Sequence, residues 1–231
     1  MPDDARALDA LNKAILVNPD NADLLYARAS LLRGMERDDV AMRDLNRIIK
    51  IFPRHYAAYV QRGELYQRRG ENERALVDFN HAISLGGGDN GLVYKLKGAA
   101  LASLKRLPEA EAALSKALEV NKNYDAIYYD RAKLYCSDGK YDKAVADYTY
   151  YLRLKPNDPR ALSGRALAYE KLGKTELARK DRLAADSNEL TRAVDATQRT
   201  LSKFDQLNNT LQKIEGVDRA KQYTLKHQPA K

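Results

Sequence analysis

The sequence predicts an all-α solenoid of stacked helical hairpins followed by a long C-terminal amphipathic helix, and three observations carry that expectation. Arg28, Arg62, Arg131 and Arg165 are each followed sixteen residues later by an aspartate: Asp44, Asp78, Asp147 and Asp181. The same small and apolar residues return about every 34 residues, with Tyr59, Gly63, Tyr66, Ala75, Phe79 and Ala82 in one copy and Tyr128, Ala132, Tyr135, Ala144 and Tyr148 in another. Within a copy the spacing is helical: Tyr128, Ala132 and Tyr135 form one stripe, and Tyr141, Ala144, Tyr148 and Tyr151 form a second. A hairpin this short cannot bury its apolar face alone, so its copies must stack.

Residues 1–21 hold a leading helix, Ala5 to Val17, with Ala7, Leu11 and Ala14 on one face. It has the pattern of a second helix without its first, so either a lone helix caps the array or the array extends upstream of Met1. Five hairpins follow, at 22–55, 56–89, 91–124, 125–158 and 159–186. Gly70, Gly139 and Gly173 stand between the two helices of their units, where the first helix needs a left-handed exit. Pro19, Pro53 and Pro156 close their units and stop the second helix, whereas the third ends on Lys122. In place of a closing proline the second unit carries Gly86-Gly87-Gly88 and one extra residue. A permissive turn is expected there, or a hinge.

Beyond Asp186 the period ends. Asp186 and Glu189 have the spacing of a capping box, and Leu190, Val194, Thr197, Leu201, Phe204, Asn208 and Leu211 follow at intervals of four and three. A helix over 187–215 is expected, either as a cap laid on the last hairpin or as a coiled-coil seam through Leu190, Val194, Leu201, Phe204 and Leu211 with Asn208 setting register. Residues 216–231 are polar and basic and are expected to be a flexible tail.

The small residues make the pattern specific. Ala29, Gly63, Gly98, Ala132 and Ala166 recur in first helices, and Ala41, Ala75, Ala110, Ala144 and Ala178 in second helices. Over roughly residues 5 to 186 the chain resembles the tetratricopeptide repeat proteins. The resemblance implies a right-handed superhelix whose concave wall, made by the first helices, holds an extended segment or helix of another protein. On that face, opposite the buried stripe, lie Tyr26, Ser30, Arg33, Gln61, Glu64, Arg68, Lys95, Tyr129, Asp130, Lys133 and Cys136. Tyr129 is the candidate anchor, since a tyrosine gives a large contact area with a polar tip. Family members that clamp the C-terminal carboxylate of heat-shock chaperones carry Lys with Asn, and Lys with Arg, one turn apart. Here those places hold Asp23 with Ala27 and Leu92 with Leu96, so no such clamp is expected.

The repeated Arg/Asp pairs look at first like a charged site. The third unit loses both members together, carrying Lys97 and Ala113, which points to partners that touch and brace each hairpin. With its brace absent and a triple glycine before it, the junction of the second and third hairpins is where the array is expected to bend.

Composition bounds the remaining classes. The 231 residues include 40 Lys and Arg against 32 Asp and Glu, a net charge of +8 interleaved along the helices, so nucleic-acid binding through a basic surface ranks below protein binding. His55, His81 and His227 stand in no metal-ligand spacing, Cys136 is the only cysteine, and no phosphate loop or nucleophile elbow occurs, so no enzyme, metal site or cofactor is expected. No apolar run approaches the 18 or so residues of a membrane span, and Met1-Pro2-Asp3-Asp4 does not begin a secretory leader. A cytoplasmic setting is expected, or a periplasmic or secreted one if a leader has been removed.

Overall fold

The computed structural model describes the backbone of residues 2–89 and 91–226; side chains are described for 3–89 and 91–188 and, beyond that, for 191, 196–207 and 210. Among the described residues there are eleven helices and no strand. A leading helix, α1 (Pro2–Val17), is followed by the pairs α2 (Ala22–Gly34) with α3 (Asp38–Ile51), α4 (Tyr56–Arg68) with α5 (Asn72–Ser84), α6 (Leu92–Ser103) with α7 (Leu107–Val120), and α8 (Asp125–Ser137) with α9 (Tyr141–Leu154). The last pair is α10 (Pro159–Lys171) with α11 (Thr175–Lys226). No helix among the described residues is long and apolar enough to cross a membrane.

Small side chains set the helix spacing. Ala29, Ala41, Ala75, Ala110, Ala132, Ala144, Ala166 and Ala178 are all buried. At Gly63 an added Cβ would meet the Phe79 ring at 2.5 Å, and at Gly98 it would meet Leu114 at 2.7 Å, so the paired helices approach through these glycines. The turn inside each hairpin uses one residue at positive φ. Gly70, Gly139 and Gly173 supply it in three hairpins, at 76°, 71° and 73°. Glu36 (58°) and Lys105 (62°) adopt it in the first and third, where a Cβ makes that conformation costly.

The brace is a bidentate fork in all four hairpins that carry it. Arg131 donates from Nε to Asp147 Oδ2 at 2.7 Å and from Nη2 to Oδ1 at 2.9 Å, and Arg28/Asp44, Arg62/Asp78 and Arg165/Asp181 repeat that geometry between 2.6 and 2.8 Å. The remaining Nη1 reaches the second helix of the preceding unit, to Asn12 for Arg28, Asn46 for Arg62, Ser115 for Arg131 and Thr149 for Arg165. Each arginine therefore ties three helices together. The guanidiniums of Arg62 and Arg131 also lie over two tyrosine rings each, Tyr59 with Tyr66 and Tyr128 with Tyr135.

The core falls into three clusters, and none of their limits falls at the expected hinge. One runs from α1 into α4, with Ile15, Leu25, Leu45 and Leu65. A second runs without interruption from Tyr59, Phe79 and Ala82 through Val93, Leu101 and Leu114 to Ile127. The third holds Ala132, Tyr135, Tyr148, Tyr151, Leu162 and Ala185. The junction of the second and third hairpins thus lies inside the second cluster, not at a boundary. Gly86, at a φ of 89°, makes the permissive turn expected there, and the two glycines after it serve close approach. A Cβ at Gly87 would meet the Tyr56 ring at 2.7 Å and the Ala82 carbonyl oxygen at 2.8 Å, and one at Gly88 would meet the Tyr94 ring at 2.8 Å.

At the far end α11 continues the fifth hairpin without a break, so Asp186 and Glu189 stand inside a helix and do not open one. The backbone stays helical to Lys226 where a tail from 216 was expected; residues 227–231 lie outside the described residues. Every described side chain from Ala196 to Leu207 is exposed, so this stretch is not laid on the last hairpin as a cap. The side chains of Leu190, Val194, Asn208 and Leu211 lie outside the described residues.

Candidate partner-binding groove

The first helices form one wall, because α4 touches α6, α6 touches α8 and α8 touches α10. Most of the residues expected to face a partner are linked across that wall from one hairpin to the next. Gln61 donates to Ser30 Oγ at 2.5 Å, and Arg33 pairs with Glu64. Arg68 donates to the Arg33 carbonyl oxygen at 3.3 Å and lies 3.2 Å from Asp38. Lys95 lies 3.3 Å from Asp130. A further link, Gln67 to the Leu96 carbonyl oxygen at 3.2 Å, was not among the expected residues. Gln61 is buried, so its side chain is a fixed part of the wall and not a ligand-facing group.

Tyr26 and Tyr129 mark the two ends of this ladder. Tyr26 is half-buried, with the His55 ring 5.5 Å away, and burial raises its hydroxyl pKa. Tyr129 packs against Tyr148 at 5.9 Å and Tyr151 at 5.4 Å, with Arg160 at 5.6 Å and Lys133 at 5.7 Å from its ring centroid. Burial pushes its pKa up while Arg160 draws it down, with a net rise. Arg160 is in turn held by Asp158, which also accepts from Tyr151 Oη at 2.8 Å. Burial opposes the Asp158 charge, but the bonds from Arg160 and Tyr151 prevail and keep its pKa at about 2. Cys136 is half-buried and burial raises its pKa, so its sulfur stays a thiol.

Between these ends the wall is hollow. Gly98, Ala99, Ala102 and Ser103 give α6 almost no side-chain volume, and a depression of about 450 Å³ opens between α6 and α8. Leu114 and Leu134 lie at its base, and Asp130, Lys133, Lys105 and Ser137 bring charge and hydroxyls to it. Of the expected residues only Asp130 and Lys133 line this hollow; the others lie along the wall beside it. The run of small residues was its signal in the sequence.

Family models of the tetratricopeptide repeat match residues 56–85 and 113–146, and a TPR repeat model matches 132–173. The first segment coincides with the braced pair α4 and α5, and the other two run from α7 through α8 into α9 and from α8 through α9 and α10. The chain is a tetratricopeptide repeat protein. Among relatives, it is 28% identical over 189 residues to DnaJ homolog subfamily C member 3 of Homo sapiens, covering 75% of this chain and 37% of that protein. The chain therefore spans little more than a third of that curated relative. Among solved structures, MamA is 26% identical and superposes with a TM-score of 0.66 over 71% of this chain and 96% of its own. YrrB, described as a TPR protein with an unusual peptide-binding site, is 21% identical with a TM-score of 0.66 over 83% of this chain and 99% of its own, which shows a shared fold.

Proposed function

We propose that this tetratricopeptide repeat chain is a non-catalytic scaffold or adaptor that holds an extended segment or helix of a partner protein along its first-helix wall. The hollow between α6 and α8 carries this reading. It offers apolar depth at Leu114 and Leu134 beside one acid and two bases, the pattern of a pocket that takes an anchor side chain and reads its polar surroundings. Tyr129, one turn before Lys133 on the same helix, extends the contact toward the fifth hairpin. The other wall residues, Tyr26, Arg33, Gln61, Glu64, Arg68 and Lys95, act mainly by holding hairpins in register, because their polar groups are engaged with each other and with neighbouring hairpins.

The test is selection of displayed random peptides on the intact chain, followed by fluorescence anisotropy of the recovered peptides on wild type and on Ala102→Trp. Filling the hollow should weaken them by about tenfold or more, the loss of one buried anchor. Equal affinity for both proteins would remove the groove reading.

A second reading, self-association through α11, is favoured by the seam residues Leu201 and Phe204, which are 59% and 65% exposed, with Leu207 beside them 57% exposed. Light scattering on the full chain and on a version ending at Asp186 separates the two. Equal monomer masses would exclude self-association.

A further inference from the structure

The third hairpin keeps a cation and two large neighbours at the place of the brace and lacks its carboxylate. In the second and fourth hairpins the arginine lies between an aromatic ring three residues before it and another four residues after it, Tyr59 and Tyr66 about Arg62, and Tyr128 and Tyr135 about Arg131. The same places around Lys97 hold Tyr94 and Leu101. The cation is retained, its large neighbours are retained, and Ala113 stands where the aspartate belongs.

That substitution leaves space. A cleft of about 300 Å³ is lined by Tyr94, Lys97, Leu101, Glu109 and Ala113 among others, and a second of about 180 Å³ shares Lys97, Leu101 and Glu109 and extends to Leu76, Val77 and Asn80. The first opens between α6 and α7 and the second where α5, α6 and α7 meet, and neither shares a lining residue with the hollow on the first-helix wall, although α6 and α7 line all three. The neighbouring charges are already matched. Arg106 grips Glu109 with two hydrogen bonds of 2.7 Å and lies 3.6 Å from Glu73, and Lys116 bonds Glu119 at 2.8 Å. Among the described residues Lys97 forms no ion pair within 4 Å; Glu109 is bonded to Arg106, which chiefly lowers that carboxyl's pKa, and the Lys97 charge helps from across the cleft. Val77, 68% exposed, adds an apolar contact beside the opening.

We propose that this outer cleft takes an aspartate or glutamate side chain from a partner protein, which completes in trans the brace that the other four hairpins make within the chain. The charge complementarity is set by the array itself. Four times the fold fills this socket with a carboxylate, and the fifth time it offers the cation and the space without one. A partner segment presenting an acid with an apolar neighbour would seat the acid on Lys97 and the neighbour on Val77. The site lies on a different face from the groove, so it does not depend on the groove reading.

The decisive variant is Lys97→Arg with Ala113→Asp, which rebuilds the brace within the chain. The probe is sodium propionate, a carboxylate on a short aliphatic stub, titrated into the isotope-labelled full-length protein while backbone amide shifts are followed by NMR, with propionamide as the uncharged control. Propionate should move the amides of Lys97, Ala113 and Val77 and saturate, propionamide should not, and the rebuilt protein should show an affinity about tenfold weaker or none, the loss of one charge-assisted hydrogen-bonded pair. An identical response in the rebuilt protein, or shifts that propionamide reproduces, would overturn the proposal. Should the double variant fail to fold, Lys97→Met removes the cation alone and must abolish the response. For the protein partner, displayed peptides selected on wild type and depleted on the rebuilt chain should be rich in Asp and Glu and should keep their affinity for Ala102→Trp. Peptides without that enrichment, or lost on Ala102→Trp, would overturn the outer site.

Discussion

The third and fourth hairpins are built on one plan and held by different means. The fourth has an arginine fork that ties α8 to α9 and back to α7, two tyrosines against the guanidinium, and a glycine at its left-handed turn. The third has none of these. Its cation is Lys97, its turn residue is Lys105 at a φ of 62°, and its entry is a glycine run packed against Tyr56 and Tyr94. The core nevertheless passes through it unbroken from the second hairpin to Ile127. A repeat can therefore lose its electrostatic fastening if apolar contact across its junctions is continuous. What it gains is surface: a hollow of about 450 Å³ on the first-helix wall and clefts of about 300 and 180 Å³ toward the second helices are all lined in part by α6.

The most damaging change should be Asp147→Ala in the fourth hairpin, which strands the half-buried Arg131. A loss of about 3 kcal/mol is expected, read as a lowered denaturation midpoint. If it matches a neutral surface substitution, the contrast between braced and unbraced hairpins fails. Next comes Gly87→Ala. The ring of Tyr56 could turn aside, but the Ala82 carbonyl oxygen cannot, so the overpacked junction should cost about 2 kcal/mol. A hinge would tolerate the extra methyl, and hydrogen exchange across 84–92 in the wild type should be as slow as within α5. In the opposite direction, Lys105→Gly should stabilise the third hairpin by about 1 kcal/mol by relieving its left-handed backbone, while Gly139→Ala should destabilise the fourth by a similar amount.

The smallest expected effect concerns the contact between these two hairpins. Glu111 on α7 accepts from Lys140 at 2.7 Å, Lys143 at 3.0 Å and Tyr135 at 3.1 Å. The bond from Lys140 is the main cause of its lowered pKa, about 2, against an ordinary value of 4.5. Because the folded value is depressed, the stabilisation is present above pH 4.5 and is lost as pH falls from there toward 2. Solvent screening leaves about 1 kcal/mol or less. Acid titration of stability in Glu111→Gln should lack that segment, and an unchanged profile would mean that the cluster does not couple the hairpins.

Most of the fold was legible because its determinants are short-range and periodic: the brace spacing, the alanine and glycine contacts, and the glycine turns all repeat in phase. The backward bond of each arginine was missed although its spacing is also sixteen. Its acceptor changes among Asn12, Asn46, Ser115 and Thr149, so a search for one residue type passes over it. The glycine run was legible as a turn, which Gly86 makes, but not as a close contact at Gly87 and Gly88, because the letter is the same whether a glycine permits a turn or admits a close neighbour. Helical phase could put the wall residues on one face. It could not show that Gln61 with Ser30, Arg33 with Glu64 and Lys95 with Asp130 engage one another, since each pair joins separate hairpins. The exposed seam of α11 lies beyond the repeat, where no period constrains its partner.

The backward reach of the arginines also bears on how long the array can be. Each braced hairpin finds an acceptor on the helix before it, and α1 supplies one, Asn12, to Arg28. The series continues through Asn46, Asn80, Ser115 and Thr149. Its next place is Leu183, which is 59% exposed and cannot accept a hydrogen bond. The acceptor series is thus broken at α11. A further hairpin packed on α11 could carry the full three-helix brace only with a polar residue at 183.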